Sequence, residues 1–198
     1  MTPLMKPMMD IWLRVRRSAR DMFGDIRGLA ATEFAIVVPV MLLLFFGTDE
    51  FASGIAVNRK VTLVARTLSD LTSQNISVTT NQLNNIFSAS TSILTPYPSS
   101  PVNARIVELY VDANLVVHQI WAATSGTTPP TATVTVPTAL KVAGSYLIYS
   151  EVNYNYVPSV GYVLKNSITL SDFTFTRPRQ SSCVIYPTAN PLPPCPTS

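Results

Sequence analysis

Glu33 is the residue whose placement most needs a chemical explanation. It is the only charged side chain in the stretch Gly28–Thr48, which reads GLAATEFAIVVPVMLLLFFGT. An ionisable group inside a lipid-facing helix is expensive, so its presence points to function. Two readings stand side by side. In the first, the carboxylate lies barely more than a turn inside the cytoplasmic interface and stays wet. In the second, the chain is cut after Gly28, Leu29 carries a free ammonium, and Glu33 becomes the fifth residue of the mature chain. Within a helical assembly in lipid, that carboxylate meets the ammonium of its own or a neighbouring chain. Low dielectric strengthens the attraction, but desolvation offsets much of it. The value of such a pair is registry, because an unpaired charge in lipid penalises the wrong docking position.

Other residues offer less chemistry. Cys183 and Cys195 are the only cysteines and lie in a Pro-rich stretch. In an oxidising compartment they read as a disulfide. The rival is a zinc site, but the single histidine, His118, is remote in sequence and no four-ligand set exists. There is no G-x-S-x-G, P-loop, H-E-x-x-H or glycine-rich phosphate turn. An exported enzyme would need a polar pocket around His118, Glu108 or Glu151. Sequence alone places His118 as a partly exposed strand residue, and Glu108, Asp112, Glu151 and Asp172 facing solvent. Tyr146, Tyr149, Tyr154 and Tyr156 read as sheet-packing residues. We therefore expect no enzymatic activity and no cofactor.

The elements that position these residues follow from composition and periodicity. The chain has 198 residues, 47% hydrophobic and 13% charged, enough for one membrane helix and one modest globular domain. Counting from Leu29, about 20 residues at ~1.5 Å rise make a helix of about 30 Å, the thickness of a hydrocarbon core. Before Gly28 stand Lys6, Arg14, Arg16, Arg17, Arg20 and Arg27 against Asp10, Asp21 and Asp25. Basic flanks stay cytoplasmic, so the N-terminus is expected inside and the C-terminal domain outside. The net charge of +3 is too small and too local to point to nucleic acid. A cleaved secretory signal fits the order of segments loosely. The long apolar stretch and Asp49-Glu50-Phe51 favour a retained single-pass anchor instead.

The predicted organisation is a basic cytoplasmic leader (1–28), a transmembrane helix (29–50), its extension (51–75), an exported α+β domain (76–180) and a Pro-rich tail with the disulfide (181–198). The leader either forms a basic amphipathic helix through Ile11, Trp12, Val15, Met22, Phe23 and Ile26 or is a positive flank that only sets topology. The membrane helix runs on to about Ser73, presenting Phe51, Ile55, Val61, Val64, Leu68 and Leu71 to a head. Pro39 removes one ladder hydrogen bond and should kink or loosen the span. Thr79 and Gln82 have capping-box spacing for a second helix, ended by Pro96 and Pro98. Strands follow at Ala104–Val111, Leu115–Ala122, Ser145–Val157 and Ser167–Arg177. An Asp112-Ala113-Asn114 turn joins the first two, and a Thr/Pro loop covers Thr124–Pro137. Together these predict an antiparallel sheet packed on helices, an α+β fold with a helical handle.

At this point the sequence resembles a known family. Arg27-Gly28, then Thr32-Glu33-Phe34-Ala35, then Pro39, is similar to the N-terminal signature of TadE/TadG-like pseudopilins of the tight-adherence (Flp) pilus system. Ala65-Arg66-Thr67-Leu68-Ser69-Asp70-Leu71 resembles the helix that follows the anchor in those proteins. Glu151-Val152-Asn153-Tyr154-Asn155-Tyr156 with Pro158, Ile168-Thr169-Leu170 and Arg177-Pro178-Arg179 resemble their later strands. The resemblance implies a pilin-like protein of the bacterial inner membrane, with the head in the periplasm, that helps build an adhesive pilus. It implies pilin and pseudopilin partners, and a prepilin peptidase that cuts between Gly28 and Leu29. Glu33, Phe34 and Pro39 would then serve assembly. The short head favours the TadE-like, minor pseudopilin side. The alternative is an uncleaved single-pass protein whose head binds a secretion or cell-envelope partner.

Overall fold

The structure, a computed structural model, describes residues 16, 27–158, 166–187 and 195. The amphipathic helix expected in the leader lies outside the described residues, as do Pro191, Pro193, Pro194 and Pro196. The chain divides into two units, residues 1–48 and 49–198. The fold is α+β: a long N-terminal apolar helix, then a small domain with a four-stranded antiparallel sheet and helices.

In the first unit, helix α1 (Arg27–Ser73) begins and passes through Pro39 without a break. Its side chains here are apolar on every face, the pattern of a helix that water does not surround. Thr48 disposes of its one hydroxyl internally, donating to the Leu44 carbonyl at 2.7 Å. Among the described residues α1 is the one helix long and apolar enough to cross a membrane.

The second unit opens with the rest of α1. Val57, Val61, Val64 and Leu68 recur at spacings of four, three and four and are all buried. Phe51 and Ile55, expected in this stripe, are instead 68% and 44% exposed. The buried row starts six residues later than the sequence pattern suggests, because the head's core meets α1 first at Val57. The end of α1 is closed by side chains: Asn75 Nδ2 donates to the Leu71 carbonyl and Ser73 Oγ to the Asp70 carbonyl. Helix α2 (Thr80–Thr91) has both halves of the capping box, Thr79 Oγ1 accepting from Gln82 N–H and Gln82 Oε1 from Thr79 N–H.

Strands β1 (Val102–Val111), β2 (Val117–Ser125), β3 (Ser145–Tyr156) and β4 (Ile168–Thr176) pair in the order β2-β1-β3-β4. One face of the sheet carries Ala104, Ile106, Ile148 and Val152 into a core shared with α1 and α2. Ser150 and Ser69 pin the two layers, Ser150 Oγ donating to the Ala65 carbonyl at 2.6 Å and Ser69 Oγ to Thr176 Oγ1 at 2.8 Å. The opposite face is covered as well. Val107, Leu109, Leu147 and Tyr149 pack against Val134, Val136 and Leu140 from the β2–β3 connection. That connection, read as a loop, is therefore a second covering layer. It explains why β1 is buried along almost its whole length rather than alternating.

The expected tail differs most. Cys183 and Val184 are buried, and Ile185 bridges in parallel to Ser77. Val78 N–H donates to the Ile185 carbonyl and Ile185 N–H to the Ile76 carbonyl. Residues 183–186 are a strap docked on the head. Val184 is apolar and β-branched, and it fills the core that a free tail would leave open.

Candidate functional site

Two regions hold the residues singled out by sequence, and a third was not visible there. The first is the start of α1. Gly28 sits in the first turn, exposed, and a Cβ built on it would meet nothing within 4 Å. Glu33 lies on an exposed turn and has no ionic partner among the described residues. Phe34 beside it is 70% exposed, and Ile36, Met41, Leu43 and Phe45 continue the bare surface. Among the described residues of this unit the surface is bare, which fits a face for lipid or other helices. Pro39 lacks an N–H, which leaves the Ala35 carbonyl without its ladder partner inside that surface.

The second region is the set of carboxylates expected to face solvent. Asp112 does so only in part. It accepts the Asn114 and Val116 N–H groups at 2.8 Å each and faces His118 Nε2 at 3.1 Å. The His118 hydrogen bond and the Val116 amide hold its carboxyl below the usual aspartate range. It closes the β1–β2 turn, in which Leu115 takes a positive φ of 63°. His118 itself is half exposed. Asp172 accepts a hydrogen bond from Thr62 on α1. Glu151 is a correction: it faces Arg105 Nη2 at 2.8 Å, with both side chains largely buried, and accepts from Tyr149 at 3.0 Å. The Arg105 guanidinium lies 5.4 Å from the Tyr149 ring centroid. Burial, then Glu151, push the Tyr149 hydroxyl up to about 12. The four tyrosines of β3 are buried packing residues.

The third region is the clamp on the strap, built by Glu108. This residue is 1% exposed, not solvent-facing. Its Oε1 accepts the Val184 N–H at 2.6 Å, while Trp121 Nε1 donates to the Val184 carbonyl at 2.9 Å. Glu108 and Trp121 are register partners across β1 and β2, so two adjacent strands hold both polar groups of one residue. Burial raises the Glu108 carboxyl from 4.5 to about 7 against the opposing pull of the Val184 and Trp121 hydrogen bonds. The space beside it is about 10 Å³, no more than one water needs, so the clamp holds structure rather than a ligand. The disulfide joins Cys183 to Cys195 with Cα atoms 5.9 Å apart, next to the clamp. Sequence reasoning missed Glu108 because a strand glutamate normally faces water; its partner is 76 residues away.

Among the described residues, no group of three or more His, Cys, Asp or Glu side chains could hold a metal ion. Residues 28–69 match the model of a family described as TadE-like protein, in agreement with the resemblance carried by Gly28, Glu33, Phe34 and Pro39. The match runs from the glycine before the apolar span to Ser69 in the head. No curated protein and no solved structure matches the chain.

Proposed function

We propose, from the premise of that TadE-like match, that the chain is a minor pseudopilin for assembly of a tight-adherence pilus. The role is structural, not catalytic. One observation carries the reading: the match opens on the stretch of α1 whose apolar side chains, Phe34 to Phe45, are bare and whose entrance holds an acid. In this role α1 anchors the protein in the bacterial inner membrane, leader in the cytoplasm and head in the periplasm. The exposed row from Phe34 onward packs against lipid before assembly and against pilin or pseudopilin helices during it. A prepilin peptidase cuts after Gly28, where no side chain obstructs the backbone. The new Leu29 ammonium then lies one helical turn from Glu33, close enough to pair with it or with a neighbour's Glu33. Pro39 lets the span adjust its packing.

The N-terminus tests processing. Mass spectrometry of membrane-extracted protein from peptidase-competent cells should find Leu29 first; a chain that keeps residues 1–28 rules out the cut. Glu33→Ala should leave expression intact and reduce piliation, and normal piliation would remove the register role. One observation favours the uncleaved alternative: α1 begins at Arg27, so the Gly28–Leu29 bond is already helical. That alternative requires Gly28 variants to work normally.

A further inference from the structure

Three large apolar side chains stand exposed around one groove beside the first turns of α1 in the head, and a fourth, Val157, is exposed next in the chain to Tyr156, which lines that groove. Phe51 and Ile55 come from α1, Val157 follows β3, and Ile168 opens β4; their exposures are 68%, 44%, 68% and 39%. Phe51, Ile55 and Ile168 border a shallow groove of about 250 Å³, which Gly54, Tyr156 and Leu170 also line. Single exposed apolar residues are ordinary on a protein surface, but a cluster drawn from three elements marks a contact site.

The helix itself says what covers it. Phe51 and Ile55 lie three and seven residues beyond Thr48, so about 4.5 and about 10 Å further along the axis at ~1.5 Å per residue. Each headgroup layer extends roughly 5–8 Å beyond the hydrocarbon core. Phe51 therefore continues the apolar surface of the span into the depth of the lipid headgroups, and Ile55, whose side chain leans back toward the N-terminal end of the helix, reaches their outer edge. Charge plays no part in the contact. Glu50 is buried, and Asp49, exposed at the rim, offers anionic lipid no attraction.

We infer that this end of the head rests on the bilayer, with Phe51, Ile55, Val157 and Ile168 set into the lipid interface. The inference depends on the reading of α1 as a membrane anchor. It makes the head a part of the anchor, restricting its swing about residues 49–55 while the subunit waits in the membrane.

The test uses the full-length, disulfide-bonded chain in phosphatidylcholine vesicles, with nitroxide labels at single cysteines. Val157→Cys and Ile168→Cys probe the collar, Leu42→Cys the span, and Val116→Cys the opposite end of the sheet. Collision rates with oxygen and with a water-soluble nickel chelate are compared. The expected result is an oxygen-to-nickel ratio several-fold higher at Val157 and Ile168 than at Val116, approaching that at Leu42. The ratio should not change when phosphatidylglycerol is added. A lipid value at Leu42 with a Val116-like value at the collar overturns the inference and leaves the anchor standing. Water-like values at Leu42 as well would remove the anchor and the inference together. Spin–spin broadening at Val157 would show a second copy covering the patch, and lipid contact would be wrong.

Discussion

Glu108 Oε1 accepts the backbone N–H of Val184 at 2.6 Å, tying a central strand of the sheet to a segment 76 residues later. Burial of this carboxyl makes stability depend on pH in a direction opposite to that of a salt-bridged carboxylate. Burial raises this carboxyl from 4.5 to about 7 in the folded chain, so the folded state holds the proton more tightly than the unfolded one. Stability from this group is fully present below about pH 4.5 and is lost as pH rises through about 7, by at most roughly 3 kcal/mol. Trp121 and the Val184 amide face the carboxyl, and Tyr146, whose own hydroxyl is raised by burial and by Glu108, is the titratable neighbour.

Thermal melts of the chain in detergent should therefore show Tm falling between about pH 5 and pH 8. Glu108→Gln keeps an acceptor for Val184 and should flatten that slope. Protection of the Val184 and Ile185 amides, corrected for the intrinsic rise of exchange with pH, should fall over the same range in the wild-type chain only. A slope unchanged by the substitution would assign the pH dependence elsewhere.

Reduction should loosen the same strap. The Cys183–Cys195 bridge closes a loop with a sequence separation of 12. A loop of that size contributes up to about 3 kcal/mol in the chain-entropy account. Wild-type protein with reductant and the Cys183→Ala/Cys195→Ala variant should melt at similarly lowered temperatures. If reductant leaves Tm unmoved, the bridge adds nothing to the head.

Arg105 and Glu151 form a largely buried pair on the sheet face away from α1. Removing one partner leaves an uncompensated charge, so Arg105→Ala or Glu151→Ala should each cost about 3 kcal/mol in urea unfolding. The combination Arg105→Met with Glu151→Leu should recover much of that loss. If Arg105→Ala with Glu151→Ala costs the sum of the two single losses, the two side chains do not depend on each other.

Gly126 and Gly144 separate backbone strain from steric contact. Both have positive φ, +100° and +76°. A Cβ at Gly126 would stand 2.5 Å from the Val102 carbonyl oxygen and from Asn103 Oδ1, the acceptor of the Thr128 N–H. A Cβ at Gly144 would meet nothing within 4 Å. Gly144→Ala should cost about 1–2 kcal/mol for the left-handed backbone alone. Gly126→Ala should cost clearly more, because backbone must shift. Equal losses would mean the close contact relaxes freely.

Much of this architecture is legible in local sequence, and the reasons are specific. The capping pair Thr79 and Gln82 marks α2 because both bonds lie within three residues. The apolar run after Gly28 marks α1 because no soluble surface tolerates it. The second strand is placed less well: it was expected at 115–122 and is found at Val117–Ser125. A shift in register between Glu108 and Leu109 leaves Ile120 without a partner on β1 and breaks the alternation a sequence reader counts. Burial of Glu108 and Glu151 was not legible, since Val184 and Arg105 lie far off in the chain. Phe51 and Ile55 kept the helical period of the core yet face outward, because periodicity gives a face and not what covers it.

The strap has a consequence for the order of events during folding. Residues 183–186 come after all four strands in the chain, yet they bond to Glu108 and Trp121 and to the linker at Ile76 and Val78. Until that segment docks, the sheet lacks the backbone groups of Val184 that Glu108 and Trp121 hold. Synthesis of all four strands therefore precedes closure of the core, and the head locks only when residues 183–186 arrive.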